Sequence, residues 1–213
     1  MHTVASPKTL KLAAGQLGKH DIRLKPVITA VGPCTITPHT NYYQELVDSI
    51  ISQQLSVKAA HSIEQRFCQL FGSSNFPTPE QIIEKDIDTL RSAGLSRAKA
   101  LYVQDLAHHV LDGKLTFDEF NNLDNETIIR ELTAVKGIGE WTAHMFLLFC
   151  MGRLDVLPVG DLGIRNGIRK LYNLDHLPGP DDIRERAVKG KWHPYESVAS
   201  WYIWQSLDNS PKQ

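Results

Sequence analysis

The 213-residue chain is short of several features that would assign it quickly. It has three cysteines, Cys34, Cys68 and Cys150, widely separated and with no Cys-x-x-Cys pair. That spacing suggests neither a zinc site nor an iron–sulfur cluster, and buried thiols are the reading. Long apolar runs are missing: stretches such as residues 145–151 are far too short to span a bilayer. The start, Met1-His2-Thr3-Val4, lacks a basic segment followed by an apolar run. No signal peptide is therefore expected, and the expected location is intracellular: cytoplasm and nucleoid in a bacterium, nucleus in a eukaryote. An excess of basic charge is also absent. Lys and Arg number 23 against 24 Asp and Glu, a net charge of −1. This argues against indiscriminate coating of nucleic acid, so DNA binding would rest on local basic groups and backbone amides. No segment alternates as a strand does, and there is no fixed-period repeat or low-complexity tract.

What is present reads as helices joined by short turns. The hydrophobic content of 42% and charged content of 22% are ordinary for a soluble globular protein. The length suits one large domain or two small halves sharing a core. Helical spacing covers residues 8–18, 21–31, 42–53 and 57–71, the last capped by Ser56 and stopped at Gly72. Residues 35–40 and 72–79 read as loops. Thr78-Pro79-Glu80-Gln81 has the form of a capping box with proline at the first helical position. Two short helices then reach Gly94, and Ser96 caps residues 97–111. Further helices are expected over 125–134, 140–150, 162–172, 181–188 and 194–207, with loose ends at about 1–6 and 208–213.

The most informative stretch is Leu132-Thr133-Ala134-Val135-Lys136-Gly137-Ile138-Gly139-Glu140-Trp141, a helix, a Gly-x-Gly hairpin and a second helix. Two glycines permit positive φ and a close approach of backbone to another surface. Amides from Ile138 to Trp141 would head a helix, where they can hold a phosphate without a basic side chain. A plain helix–turn–helix corner fits the Gly-x-Gly equally well. Further along, Asp161 follows Pro158-Val159-Gly160 and precedes a helix. As an N-cap it would sit where the helix dipole favours negative charge.

With Ile51-Ser52-Gln53-Gln54-Leu55-Ser56, Ala93-Gly94-Leu95-Ser96, His193-Pro194-Tyr195, Trp201 and Trp204, these motifs occur in one order across residues 21–207. In this the sequence resembles the helix-hairpin-helix (HhH-GPD) DNA glycosylase superfamily, and within it the 3-methyladenine (alkylpurine) DNA glycosylase II group. The resemblance implies an all-α, two-lobed fold with the active-site cleft between lobes, one lobe at about 41–134 and the other at about 1–40 plus 135–213. It implies a monomer acting on double-stranded DNA that contains damaged purines.

Residue by residue, the resemblance makes Asp161 the catalytic aspartate. Only one carboxylate is needed, because an alkylated purine is already cationic and leaves without a general acid, unlike the leaving group of an ordinary glycosidase. Trp141 and Trp204 match aromatics of the base pocket, where stacking and cation–π attraction hold a flipped base. Gln54, with Gln53 as the neighbouring candidate, matches the wedge that fills the gap left by flipping. Gly137, Ile138, Gly139, Glu140 and Trp141 match the phosphate-binding hairpin. No cofactor is required, although a monovalent cation, sodium or potassium, on the carbonyls of Thr133, Val135 and Gly137 is an implied option. Members with lyase activity carry a lysine two residues after the second hairpin glycine; here Trp141 stands there, which favours a monofunctional enzyme. A mismatch adenine glycosylase, a bifunctional glycosylase/lyase and a non-catalytic DNA-binding module are the rival readings.

Overall fold

The computed structural model describes residues 3–72 and 76–208. In chain order its helices are α1 (Pro7–His20), α2 (Leu24–Val31), α3 (Tyr42–Ser52), α4 (Val57–Gln69), α5 (Pro79–Ile83), α6 (Ile87–Ser92) and α7 (Arg97–Leu111). After a 3₁₀ helix (Phe117–Asn122) come α8 (Asn125–Thr133), α9 (Glu140–Met145), a π-helical turn (Phe146–Cys150), α10 (Leu162–Leu171), α11 (Pro180–Lys189) and α12 (Glu196–Asp208). Among the described residues there is no strand, only an isolated antiparallel bridge between Val4 and Arg153. The all-α expectation therefore holds.

Two compact units divide the chain. One comprises Met1–Thr40 and Leu147–Gln213; the other is Asn41–Phe146. The hairpin and α9 thus belong to the central unit, whereas the sequence reading ended that lobe at residue 134. The reason is packing: α9 runs directly on from the hairpin and packs against α8.

The first unit is built round α12. Residues 197–203 are all buried, so this helix is enclosed on every side rather than amphipathic. Its neighbours α1, α2 and α10 bring Leu10, Leu17, Leu24, Ile164 and Ile168 to the same core. Gly167 allows α10 to approach closely, since a Cβ there would lie 2.3 Å from Ile203 Cγ2. Truncating a core side chain such as Ile203 to alanine costs about 2–5 kcal/mol.

The start of the chain corrects an expectation. The parts of 1–6 and 208–213 that are described are held: Leu154 N–H donates to the Thr3 carbonyl, and Ala5 N–H to the Gly152 carbonyl at 2.7 Å. Ser6 caps α1 reciprocally with Thr9, and Asp208 closes α12. Local sequence carries no sign of a partner so distant in the chain. Residues 1–2, 209–213 and 73–75 of the expected loop lie outside the described residues.

The second unit is centred on α7. Its buried Ala100, Val103, Leu106 and Ala107 face α3, α5 and α6. The 3₁₀ helix occupies a stretch the sequence reading left unassigned. Its Phe117 and Phe120, three apart as that helix favours, join Tyr42 and Phe146 in an aromatic cluster with centroid separations of 5.3–6.4 Å. The apolar run 140–150, expected as one α-helix, changes to a π turn at Phe146.

Candidate nucleic-acid interface and catalytic carboxylate

In the central unit the hairpin is anchored on α7. Gly137 has φ 86°, and a Cβ there would fall 2.2 Å from the Tyr102 ring, so only glycine fits. Gly139 differs from expectation: its φ is −94°, it serves as the N-cap of α9, and a Cβ there would meet nothing within 4 Å. The positive-φ requirement therefore falls on Gly137 alone. Asp105 Oδ2 accepts the Lys136 N–H at 2.9 Å, and the Lys136 ammonium lies 3.4 Å from Asp105 Oδ1. The Ile138 N–H donates to the Val135 carbonyl at 3.1 Å and is thereby used inside the turn. Of the amides expected to face a phosphate, those of Gly139, Glu140 and Trp141 stand at the head of α9. Trp141 itself is 56% exposed, which rules out a core role for its ring.

The junction of α3 and α4 is a tight turn in which Leu55 N–H donates to the Ser52 carbonyl. Gln53 has φ −49° and ψ 128°, and Gln54 has φ 58°. These are the angles of a type II turn, whose third residue is usually glycine. A glutamine held in the left-handed region costs about 1–3 kcal/mol, and such strain collects at functional positions. Gln54 is exposed, as a wedge requires, with Leu55 and Val57 exposed beside it. Gln53 is placed differently: its side-chain amide donates to the Gly137 carbonyl at 2.8 Å. Of the two wedge candidates, Gln54 is thus the one turned to solvent and Gln53 the one engaged by the protein.

That contact also bears on the implied cation. Of the three carbonyls named for it, Val135 O already accepts from Ile138 and Gly137 O from Gln53. Each of these two carbonyl oxygens keeps a second lone pair. Among the described residues no group of three or more His, Cys, Asp or Glu could hold a metal.

The first unit holds the carboxylate. Asp161 caps α10, with Oδ1 accepting the Ile164 N–H at 2.7 Å and the Trp204 indole N–H at 2.8 Å. Gly163 makes room for this pairing: a Cβ would meet the Trp204 ring at 2.9 Å and Asp161 Oδ1 at 3.0 Å. Trp204 also stacks on Phe149, with centroids 5.8 Å apart and planes inclined by 28°. Phe149 is the exposed member of the π turn, its neighbours Leu147, Leu148 and Cys150 being buried. Sequence reasoning missed Phe149, because an α-helical run gives no reason to single it out. Trp192 and Trp201 are buried core residues. Cys34 and Cys150 are buried, and Cys68 is half-buried.

A partly exposed aspartate at a helix N-terminus beside stacked aromatics, in a chain that also carries a helix-hairpin-helix, defines a class of DNA-repair proteins. The comparisons with known proteins fall within it. The model of the HhH-GPD superfamily of base excision DNA repair proteins matches residues 47–192, and the chain belongs to this family. It is 33% identical over 199 residues to the alkylbase DNA glycosidase-like protein mag2 of Schizosaccharomyces pombe, covering 92% of each chain. A crystal structure of DNA-3-methyladenine glycosidase from Bacillus halodurans matches with TM-score 0.84 and 37% identity, covering 98% of this chain and 93% of that one. The 3-methyladenine DNA glycosylase Mag1 of Schizosaccharomyces pombe, solved in complex with abasic DNA, matches with TM-score 0.80 and 33% identity, covering 94% and 98%. No helix among the described residues is long and apolar enough to cross a membrane.

Proposed function

We propose that the chain is a monofunctional DNA glycosylase that releases alkylated purines, such as 3-methyladenine and 7-methylguanine, from double-stranded DNA. The observation that carries this is Asp161: a partly exposed carboxylate whose position is fixed by a backbone amide and an indole N–H. Cleavage of the N-glycosidic bond sends its electron pair out with the purine and leaves positive charge on the sugar. A carboxylate held at that position stabilises the charge without having to reorganise. It also orients water for attack at C1′ and takes up the proton the water loses. The departing base is cationic before it leaves, so no second carboxylate is called for.

Trp141 in the central unit, its ring exposed, and Trp204 in the first unit would each offer a ring for stacking, and cation–π attraction favours a charged base. Gln54 would fill the vacated space in the duplex, and the amides that head α9 would hold a phosphate. This division explains how a chain of net charge −1 grips DNA. The relatives named as 3-methyladenine glycosylases, one of them solved in complex with abasic DNA, support the substrate class. No step of the proposed reaction requires a hairpin cation. The protein would act as a monomer, wherever the cell keeps its DNA. The test is incubation with methylated duplex DNA and chromatography of the released bases. Free 3-methyladenine and 7-methylguanine are expected; release of neither overturns the proposal.

A further inference from the structure

Gln54 sits in a strained turn, and a wedge is effective only if the turn that carries it keeps its place when pushed against a duplex. Three observations in the central unit bear on what holds it. The Lys99 ammonium, on α7, donates to the carbonyls of Ile51 and Gln53 at 2.8 and 2.6 Å. These carbonyls end α3 and border the turn, so the contact both satisfies the helix end and places a positive charge where the dipole favours one. Second, the Gln53 side chain crosses to the hairpin and donates to the Gly137 carbonyl at 2.8 Å. Third, the hairpin rests on the same helix as Lys99: Gly137 lies against Tyr102, and Asp105 accepts the Lys136 N–H. Lys99, Tyr102 and Asp105 follow one another at intervals of three, which puts them along one face of α7.

We infer that Gln53 and this face of α7 form a strut that fixes the strained α3–α4 turn, and with it Gln54, in register with the hairpin. The hairpin and the turn then meet DNA as one preformed surface. Gln53 is accordingly a positioning residue and Lys99 another; neither enters the duplex. A flexible turn would have to be ordered at the moment of binding, and preorganisation removes that cost. The strut also gives a reason why adjacent glutamines have different fates. The first is turned inward as the anchor, and the second, at φ 58°, is turned outward.

This inference rests on the reading of Gln54 as the wedge, so its test is a cycle that includes Gln54. Affinities of the full chain for duplex with a stable abasic-site analogue and for intact duplex are measured by fluorescence anisotropy. The variants are Gln54→Ala, Gln53→Ala, Lys99→Met, Lys99→Arg and the double variant Gln53→Ala/Gln54→Ala. Gln53→Ala keeps the Lys99 cap of α3, so it remains informative if Lys99→Met fails to fold. Gln53→Ala is expected to lower the preference for abasic DNA about fivefold, the loss of one hydrogen bond. In the Gln54→Ala background it should lower the preference no further, because the strut acts only through Gln54. Lys99→Arg should restore most of what Lys99→Met loses. If Gln54→Ala weakens the preference but Gln53→Ala leaves it unchanged, or adds its effect independently in the double variant, the strut is wrong and the wedge stands. If Gln54→Ala has no effect, the wedge reading falls and the strut with it.

Discussion

Asp21 and Asp161 lie in the same unit and are built alike, yet only one has the access that chemistry needs. Each leads into a helix, accepts amides of its first turn, and accepts an indole N–H at 2.8 Å, from Trp192 and Trp204 respectively. They differ in what closes the other side. Asp21 is 5% exposed, and its Oδ2 takes both the Trp192 N–H and the Tyr172 hydroxyl. Burial and this carboxylate together push the Tyr172 hydroxyl upward from its ordinary pKa, so it stays a donor. Asp161 is partly open, bordered by the exposed Leu162 and by the Trp204–Phe149 stack. Asp48, in the central unit, completes the series. One of its oxygens is buried without a hydrogen-bond partner, and burial, with Glu64 nearby, raises its carboxyl to about 7. Donors without access make a structural carboxylate, burial with one oxygen unpartnered makes a weak acid, and donors with access leave a carboxylate available for the role proposed for Asp161.

The largest effect is expected at Asp161. Asp161→Asn should slow base release under single-turnover conditions by about a thousandfold. Asparagine is also a good N-cap, so thermal stability should change by less than about 1 kcal/mol. Asp21→Asn should do the reverse. It turns a carboxamide N–H₂ toward a cluster of donors, costing about 3 kcal/mol in urea unfolding, with the rate per folded molecule kept. A result in which both variants lose rate, or both lose stability, would break the distinction. Asp48→Asn sharpens it through pH. A carboxyl raised from 3.8 to about 7 in the fold costs stability as pH climbs between those values, because the unfolded chain ionises first. The variant should therefore match the wild type near pH ~4 and exceed it by about 2 kcal/mol near pH ~8, as read from melts across that range. The smallest effect belongs to Trp204→Phe, which removes the N–H to Asp161 but keeps a ring against Phe149. A loss of about tenfold in rate is expected, the worth of one hydrogen bond to a charged group, whereas Trp192→Phe should lower stability alone.

The sequence made the helices legible because their caps are local: Ser56, Thr78, Ser96 and Asp161 each bond an amide three residues on. It also singled out Asp161, Trp141, Trp204 and Gln54 as candidates, through motifs in a fixed order. What it hid was set by distant partners. Asp21 reads as one more residue in a helical stretch until Tyr172 and Trp192 surround it. Gln53 and Gln54 are indistinguishable by type, and only the contact with Gly137 separates them. Phe149 lies in an apolar run whose shift from α to π geometry has no composition signal. Residues 3–6 looked loose because their partners, Gly152, Arg153 and Leu154, come far later in the chain.

Whether Asp161 works with water, or an amine of the protein attacks the sugar, is decided most directly by borohydride trapping on methylated duplex DNA, with a parallel gel run without alkali. A lyase needs an amine that forms a Schiff base at C1′. Trp141 offers none, and Lys136 is held beside Asp105 at 3.4 Å. The expected result is abasic sites that accumulate with no covalent protein–DNA adduct and no strand breaks before alkaline treatment. An adduct trapped by borohydride, or breaks appearing without alkali, would contradict a water nucleophile at Asp161.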